Sequence, residues 1–131
     1  MKKLFLVFTV LMLQSCSEEA PFFKLVSLPI DEAITPDHFT YRTSDTIVLK
    51  YTLPSACFYF KEVYYSKERN TRVVAINVIE DVDKTCNEAT IEKEIKLPIH
   101  VLQDKDYIFK FYKGKDTEGN LIFDEITVPV D

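Results

Sequence analysis

From Thr46 to Leu53 the side chains alternate without a break, Ile47, Leu49, Tyr51 and Leu53 against Thr46, Val48, Lys50 and Thr52. A period of two is the spacing of a β-strand, whose successive side chains leave opposite faces. Thr90 to Leu97 repeats the pattern, with Ile91, Ile95 and Leu97 against Glu92, Glu94 and Lys96, and only Lys93 interrupts its apolar side. That strand should have one wet face. Cys57 to Tyr65 differs, because Cys57, Tyr59 and Val63 share one face while Phe58, Phe60 and Tyr64 share the other. Both faces carry aromatics, and the sequence leaves open which of them turns inward.

The remaining segments rich in Val, Ile, Tyr, Phe and Thr lie between turn signals, and none has a helical period. Phe22 to Leu28 with Glu32 to Ile34 reads as one irregular first strand broken at Pro29. Thr71 to Ile79 follows the polar turn Ser66 to Asn70, and Tyr107 to Lys113 and Leu121 to Val130 flank the turn Gly114 to Asn120 as a last hairpin. The expectation is an all-β domain over residues 22–131, an antiparallel sandwich of about seven strands.

Ten Phe and seven Tyr supply material for a packed core. Gly114 and Gly119 are the only glycines, so the Gly-rich cradles that hold nucleotide phosphates cannot be built. The formal charge is −5, and no run of Lys or Arg forms a basic stripe, which argues against nucleic acid as a partner.

Ahead of the domain, Lys2 and Lys3 precede an apolar run from Leu4 to Leu13 broken only by Thr9, the anatomy of a signal peptide. The run is too short for a permanent span, which needs about 20 apolar residues. Leu13-Gln14-Ser15-Cys16 resembles the lipobox of bacterial lipoproteins, with Gln14 at a position more often small or aliphatic. The resemblance implies cleavage of a signal peptide over residues 1–15 and acylation of Cys16. It also implies a tether over residues 16–21, so the membrane is a partner through the lipid on Cys16. Two or three chains hold a bilayer far more firmly than one, at about 0.8 kcal/mol per buried methylene. Loss of Lys2 and Lys3 takes the formal charge from −5 to −7.

Ser17-Glu18-Glu19 is similar to the tether of surface-exported lipoproteins of Bacteroidetes-type bacteria, and is equally readable as a solvated linker. Ser17, where an aspartate would imply inner-membrane retention in such lipoproteins, favours the outer membrane. The implied address is the cell envelope, with lipid anchoring at the outer membrane.

With Cys16 assigned to lipid, Cys57 and Cys86 are left as a pair in an oxidising compartment, and a disulfide between them is expected. The strand count and spacing resemble an immunoglobulin-like β-sandwich. Leu102 followed by Asp104-Lys105-Asp106-Tyr107 is similar to the tyrosine corner of such domains, with Tyr107 as the corner residue. The antibody Cys-Trp-Cys core is missing, since the chain has no Trp.

Candidate chemistry is sparse. Two histidines are available as bases or ligands, His38 and His100. His38 follows Asp37, but neighbours on an extended chain point to opposite sides. Three acidic stretches, Glu80 to Asp83, Asp104 to Asp106 and Asp116 to Asn120, have the oxygen ligands Ca²⁺ prefers, and all three read better as solvated turns. Asp45-Thr46-Ile47 matches a short pattern that is O-glycosylated in some exported proteins of Bacteroidetes-type bacteria. Tyr59 and Tyr65 are the candidate ligand-contact aromatics, exposed together if Phe58, Phe60 and Tyr64 turn inward.

The functional expectation is a membrane-anchored, non-catalytic binding or assembly module, with a protein or glycan partner and no cofactor or metal. Carbohydrate capture through exposed aromatics is the second reading, and a hydrolase or protease inhibitor with an unfamiliar site is the third.

Overall fold

The computed structural model describes residues 22–131. The signal peptide, Cys16 and the tether therefore lie outside the described residues. Eight strands form in order: β1 (Phe23–Leu28), β2 (Glu32–Ile34), β3 (Ser44–Leu53), β4 (Phe58–Glu68), β5 (Thr71–Asp81), β6 (Ile91–His100), β7 (Tyr107–Lys115) and β8 (Leu121–Val128). They make two sheets, one of five strands and one of three, β2-β3-β6. The count is eight rather than seven because the irregular first segment is two strands in different sheets. At Pro29, which has no N–H to give to a ladder, the chain leaves β1 in the larger sheet and enters β2 in the smaller. Ile30 then donates its N–H to the Tyr112 carbonyl at 2.8 Å.

The expectation of a wholly antiparallel domain needs one correction. β4 pairs along the length of β5 on one side, while on the other side β5 takes two partners in succession. β1 runs antiparallel against Ile76 to Asp81, and β7 runs parallel against Thr71 to Val74. β8 closes the row as an antiparallel hairpin with β7. In that hairpin Gly114 sits at a bulge with φ 110°, a conformation open to residues without a Cβ.

The core lies between the sheets. Ile47, Leu49, Tyr51 and Leu53 of β3 face Val74, Ile76 and Val78 of β5, and all are buried. On β7 Tyr107, Phe109 and Phe111 stack in a row, with centroids 5.8 and 5.6 Å apart. Phe39, fully buried on the loop before β3, meets Tyr107 edge-on at 5.1 Å. Aromatic pairs in this geometry add about 0.5–1.5 kcal/mol beyond the area they bury.

Two local devices fix the ends of the two-sheet domain. Cys57, just before β4, is joined by a disulfide to Cys86 in the loop before β6. At the opposite end the Tyr107 hydroxyl accepts from the Leu102 N–H at 3.3 Å and reaches the His100 carbonyl at 3.5 Å. The aromatic ring is thus buried while its polar tip satisfies the backbone of the β6–β7 connection.

Candidate functional site

The outer face of the larger sheet has an apolar and aromatic centre set among polar side chains. On β5 the residues between the core positions, Val73, Ala75, Asn77 and Ile79, point away from the smaller sheet. Leu25 of β1 stands beside Ile79, and Tyr59 of β4 flanks it from the other side. Tyr64 pairs with Ala75. Tyr112 and Phe123 meet edge-on at 6.1 Å on the β7–β8 hairpin. Because β5 changes partner between β7 and β1, the two strands part and leave an open concavity of about 730 Å³ floored by Val73, Ala75 and Asn77. Asn77 is satisfied within the face, its carboxamide bonded to Ser27 Oγ at 2.8 Å and Glu62 Oε1 at 3.4 Å.

Of the two candidate aromatics, Tyr59 lies on this face, 45% exposed. Its hydroxyl accepts from Lys84 Nζ at 3.4 Å. Tyr65 does not join it. Phe60 pairs with Val78, but the next paired residue is Glu62, opposite Asn77, so Lys61 is an extra residue in β4. A bulge of one residue reverses the alternation beyond it. Tyr64 therefore comes to the outer face, 47% exposed. Tyr65, Lys67 and the core-packed Phe58 and Val63 point to the inner side.

Tyr65 instead borders a smaller pocket of about 250 Å³ at the mouth between β4 and β6, where it joins Lys67, Arg72, Leu97, His100 and Tyr107. Arg72 is 4% exposed. Its guanidinium donates to the carbonyls of Arg69 at 2.9 Å and Thr71 at 3.2 Å, and to Gln103 Oε1 at 2.7 Å. It lies 4.8 Å over the Tyr107 ring, a cation–π arrangement. Burial raises the Tyr65 hydroxyl pKa, against a smaller lowering from Arg72 beside it.

The histidines are placed apart. His38 faces Asp131, 3.8 Å away and well exposed, rather than Asp37. His100 Nδ1 lies 2.9 Å from Ser44 Oγ, a cross-strand neighbour in the β3–β6 ladder. This hydroxyl–imidazole contact was not anticipated from sequence, and among the described residues no carboxylate bonds the ring to orient it as a base. Among the described residues no three His, Cys, Asp or Glu side chains converge as a metal site. Asp116 caps its own turn, accepting from the N–H groups of Glu118 at 2.9 Å and Asn120 at 2.8 Å.

A third hollow, of about 580 Å³, lies against β2, β3 and β6, and its polar groups engage one another: Lys50 with Glu32 at 3.4 Å, and Thr52 with Asp31 at 2.7 Å. Compared with protein-family models, curated proteins and solved structures, the chain matches none.

Proposed function

We propose that this chain is an envelope lipoprotein, acylated at Cys16, whose immunoglobulin-like domain works without catalysis by docking a protein partner on the outer face of the larger sheet. The carrying observation is that face. Leu25, Tyr64, Tyr112 and Phe123 form an apolar, aromatic centre there, and Lys24 and Lys115 line its concavity. Aromatics at the centre and charge at the rim is the composition of a protein interface, and a contiguous apolar patch on a sheet face is seldom left without a function. The immunoglobulin-like reading draws support from the two-sheet core and from Tyr107 bonding back to the β6–β7 connection. The parallel β5–β7 ladder departs from that pattern.

A photo-activated cross-linker at Phe123, used in intact cells of the source bacterium, should trap one discrete protein adduct. The adduct should vanish when Leu25→Asp is added. The same cross-linker at Glu92, on the smaller sheet, should trap none. Recovery of the uncomplexed chain alone, or equal trapping from both positions, overturns the reading.

Carbohydrate capture is favoured by one specific observation, the exposure of Tyr59 and Tyr64 on the same face. A glycan array probed with the full chain should then give binding that Tyr64→Ala removes, and a blank array rejects it.

A further inference from the structure

Arg72 is the one strongly buried cation of the described residues, and its surroundings leave its charge unmatched. A guanidinium does not deprotonate in proteins, and buried charges are ordinarily paired with an opposite charge. Around Arg72 the hydrogen-bonded acceptors are two backbone carbonyls and the Gln103 amide, all neutral. No carboxylate of the described residues lies within 4.0 Å of it. Those bonds have a structural purpose, since they hold the carbonyl of Arg69, which turns the β4–β5 hairpin at φ 56°. They occupy both terminal nitrogens, on the side of the hairpin and of Gln103, while the Tyr65 hydroxyl, also neutral, lies beside the guanidinium on the pocket side.

A second cation faces the same space. Lys67 stands directly opposite Arg72 in the β4–β5 ladder and lines the same pocket. The pocket contains no acidic side chain, in a chain whose formal charge is −5. Its walls are apolar, with Leu97, Pro98 and Leu102 across from the two cations, and Tyr65 and His100 complete the rim. A planar guanidinium beside an exposed ammonium, with hydrocarbon alongside, suits a planar anion carried on a carbon skeleton.

We propose that the mouth between β4 and β6 is a carboxylate-binding site, in which Arg72 and Lys67 together hold a carboxylate presented by an acidic sugar or an acidic peptide side chain. This site is separate from the outer sheet face, and its ligand need not be the partner docked there. At about 250 Å³ it accommodates one carboxylate and the few carbons that bear it.

The test is a titration of the isotope-labelled full chain in detergent, followed by amide and guanidinium NMR shifts. The probes are glucuronate, a capped glutamate, their neutral counterparts glucose and capped glutamine, and inorganic phosphate. Saturable shifts at Arg72, His100 and Gln103 are expected with the carboxylates only. Response to glucuronate alone assigns a glycan source, response to capped glutamate alone a protein source, and response to both the carboxylate as such. Lys67→Ala, on the rim and away from the core, should weaken binding about tenfold, the loss of one charge-assisted hydrogen bond. Arg72→Lys, which keeps the charge and removes the planar guanidinium, should weaken it further. The proposal is overturned by the absence of saturable shifts, by equal shifts with the neutral probes, by phosphate binding as well as the carboxylates do, or by a Lys67→Ala chain that binds unchanged.

Discussion

Tyr59 and Tyr64 share the outer face of β4 although an odd number of positions separates them, because Lys61 has no partner in the β4–β5 ladder. A regular strand would put the two rings on opposite sides. The same bulge interrupts the edge of the larger sheet, since β4 pairs with β5 alone. Long, regular edges invite pairing with other chains, and bulges and lysines are among the devices that prevent it.

Deleting Lys61 should therefore leave the pairing on both sides of it intact, with Tyr64 still opposite Ala75, while straightening the edge. The expected outcome is a folded chain with unchanged far-ultraviolet circular dichroism whose sedimentation profile shifts to larger species as concentration rises. A deletion variant that sediments like the parent at every concentration refutes the protective role of the bulge.

Tyr107→Phe keeps the stacked ring but removes the hydroxyl that accepts from Leu102 and reaches the His100 carbonyl. Loss of a part-buried hydrogen bond that leaves a backbone N–H without its partner costs about 1–2 kcal/mol. Denaturant unfolding should show a lower midpoint with an unchanged slope, and the Leu102 amide should exchange faster with solvent. Equal stability of the two chains would show that the hydroxyl contributes nothing to the corner.

Sequence reasoning went furthest where a strand has one buried face. β3 alternates strictly, and Ile47, Leu49, Tyr51 and Leu53 are all buried as their parity requires. It stopped at β4, where a one-residue bulge within an aromatic run leaves no mark in the amino-acid order. The split of the first segment into β1 and β2 was visible as a break at Pro29, but a change of sheet is a property of pairing partners distant in sequence. The parallel contact of β5 with β7 has the same origin. Arg72 could have been found, because it shares parity with Val74, Ile76 and Val78 on β5. A charge in a strand is ordinarily assigned to solvent, and the acceptor at 2.7 Å, Gln103, comes from another loop. The outer apolar face was half legible, since Tyr59 was singled out while Tyr64, Leu25 and Phe123 became its neighbours only through the fold.

Cutting the Cys57–Cys86 bridge tests how much the larger sheet depends on it. The cysteines are 29 positions apart, and on the chain-entropy account opening such a loop costs about 3–4 kcal/mol. A Cys57→Ser, Cys86→Ser chain should unfold at a correspondingly lower denaturant concentration while retaining its β signature under native conditions. A loss well under 1 kcal/mol would mean that the unfolded chain is already compact near these positions.

Asp116 offers a pH test confined to one turn. The backbone hydrogen bond from Asn120, joined by those from Glu118 and Gly119, favours its ionised form, and together they outweigh the opposing desolvation, so its pKa falls below the ordinary 3.8. A carboxyl whose folded pKa is depressed contributes stability that is fully present above the unfolded value and is lost as pH falls through the folded one. The turn should therefore hold at neutral pH and loosen only in acid below about pH 4. Carbon-detected NMR titration of the Asp116 carboxyl should place its midpoint below the ordinary aspartate value of 3.8, and the Asn120 amide resonance should move with the same midpoint. Asp116→Asn, which has no carboxylate to titrate, should abolish that movement, and an Asn120 shift that persists in the variant would assign the pH response to another group.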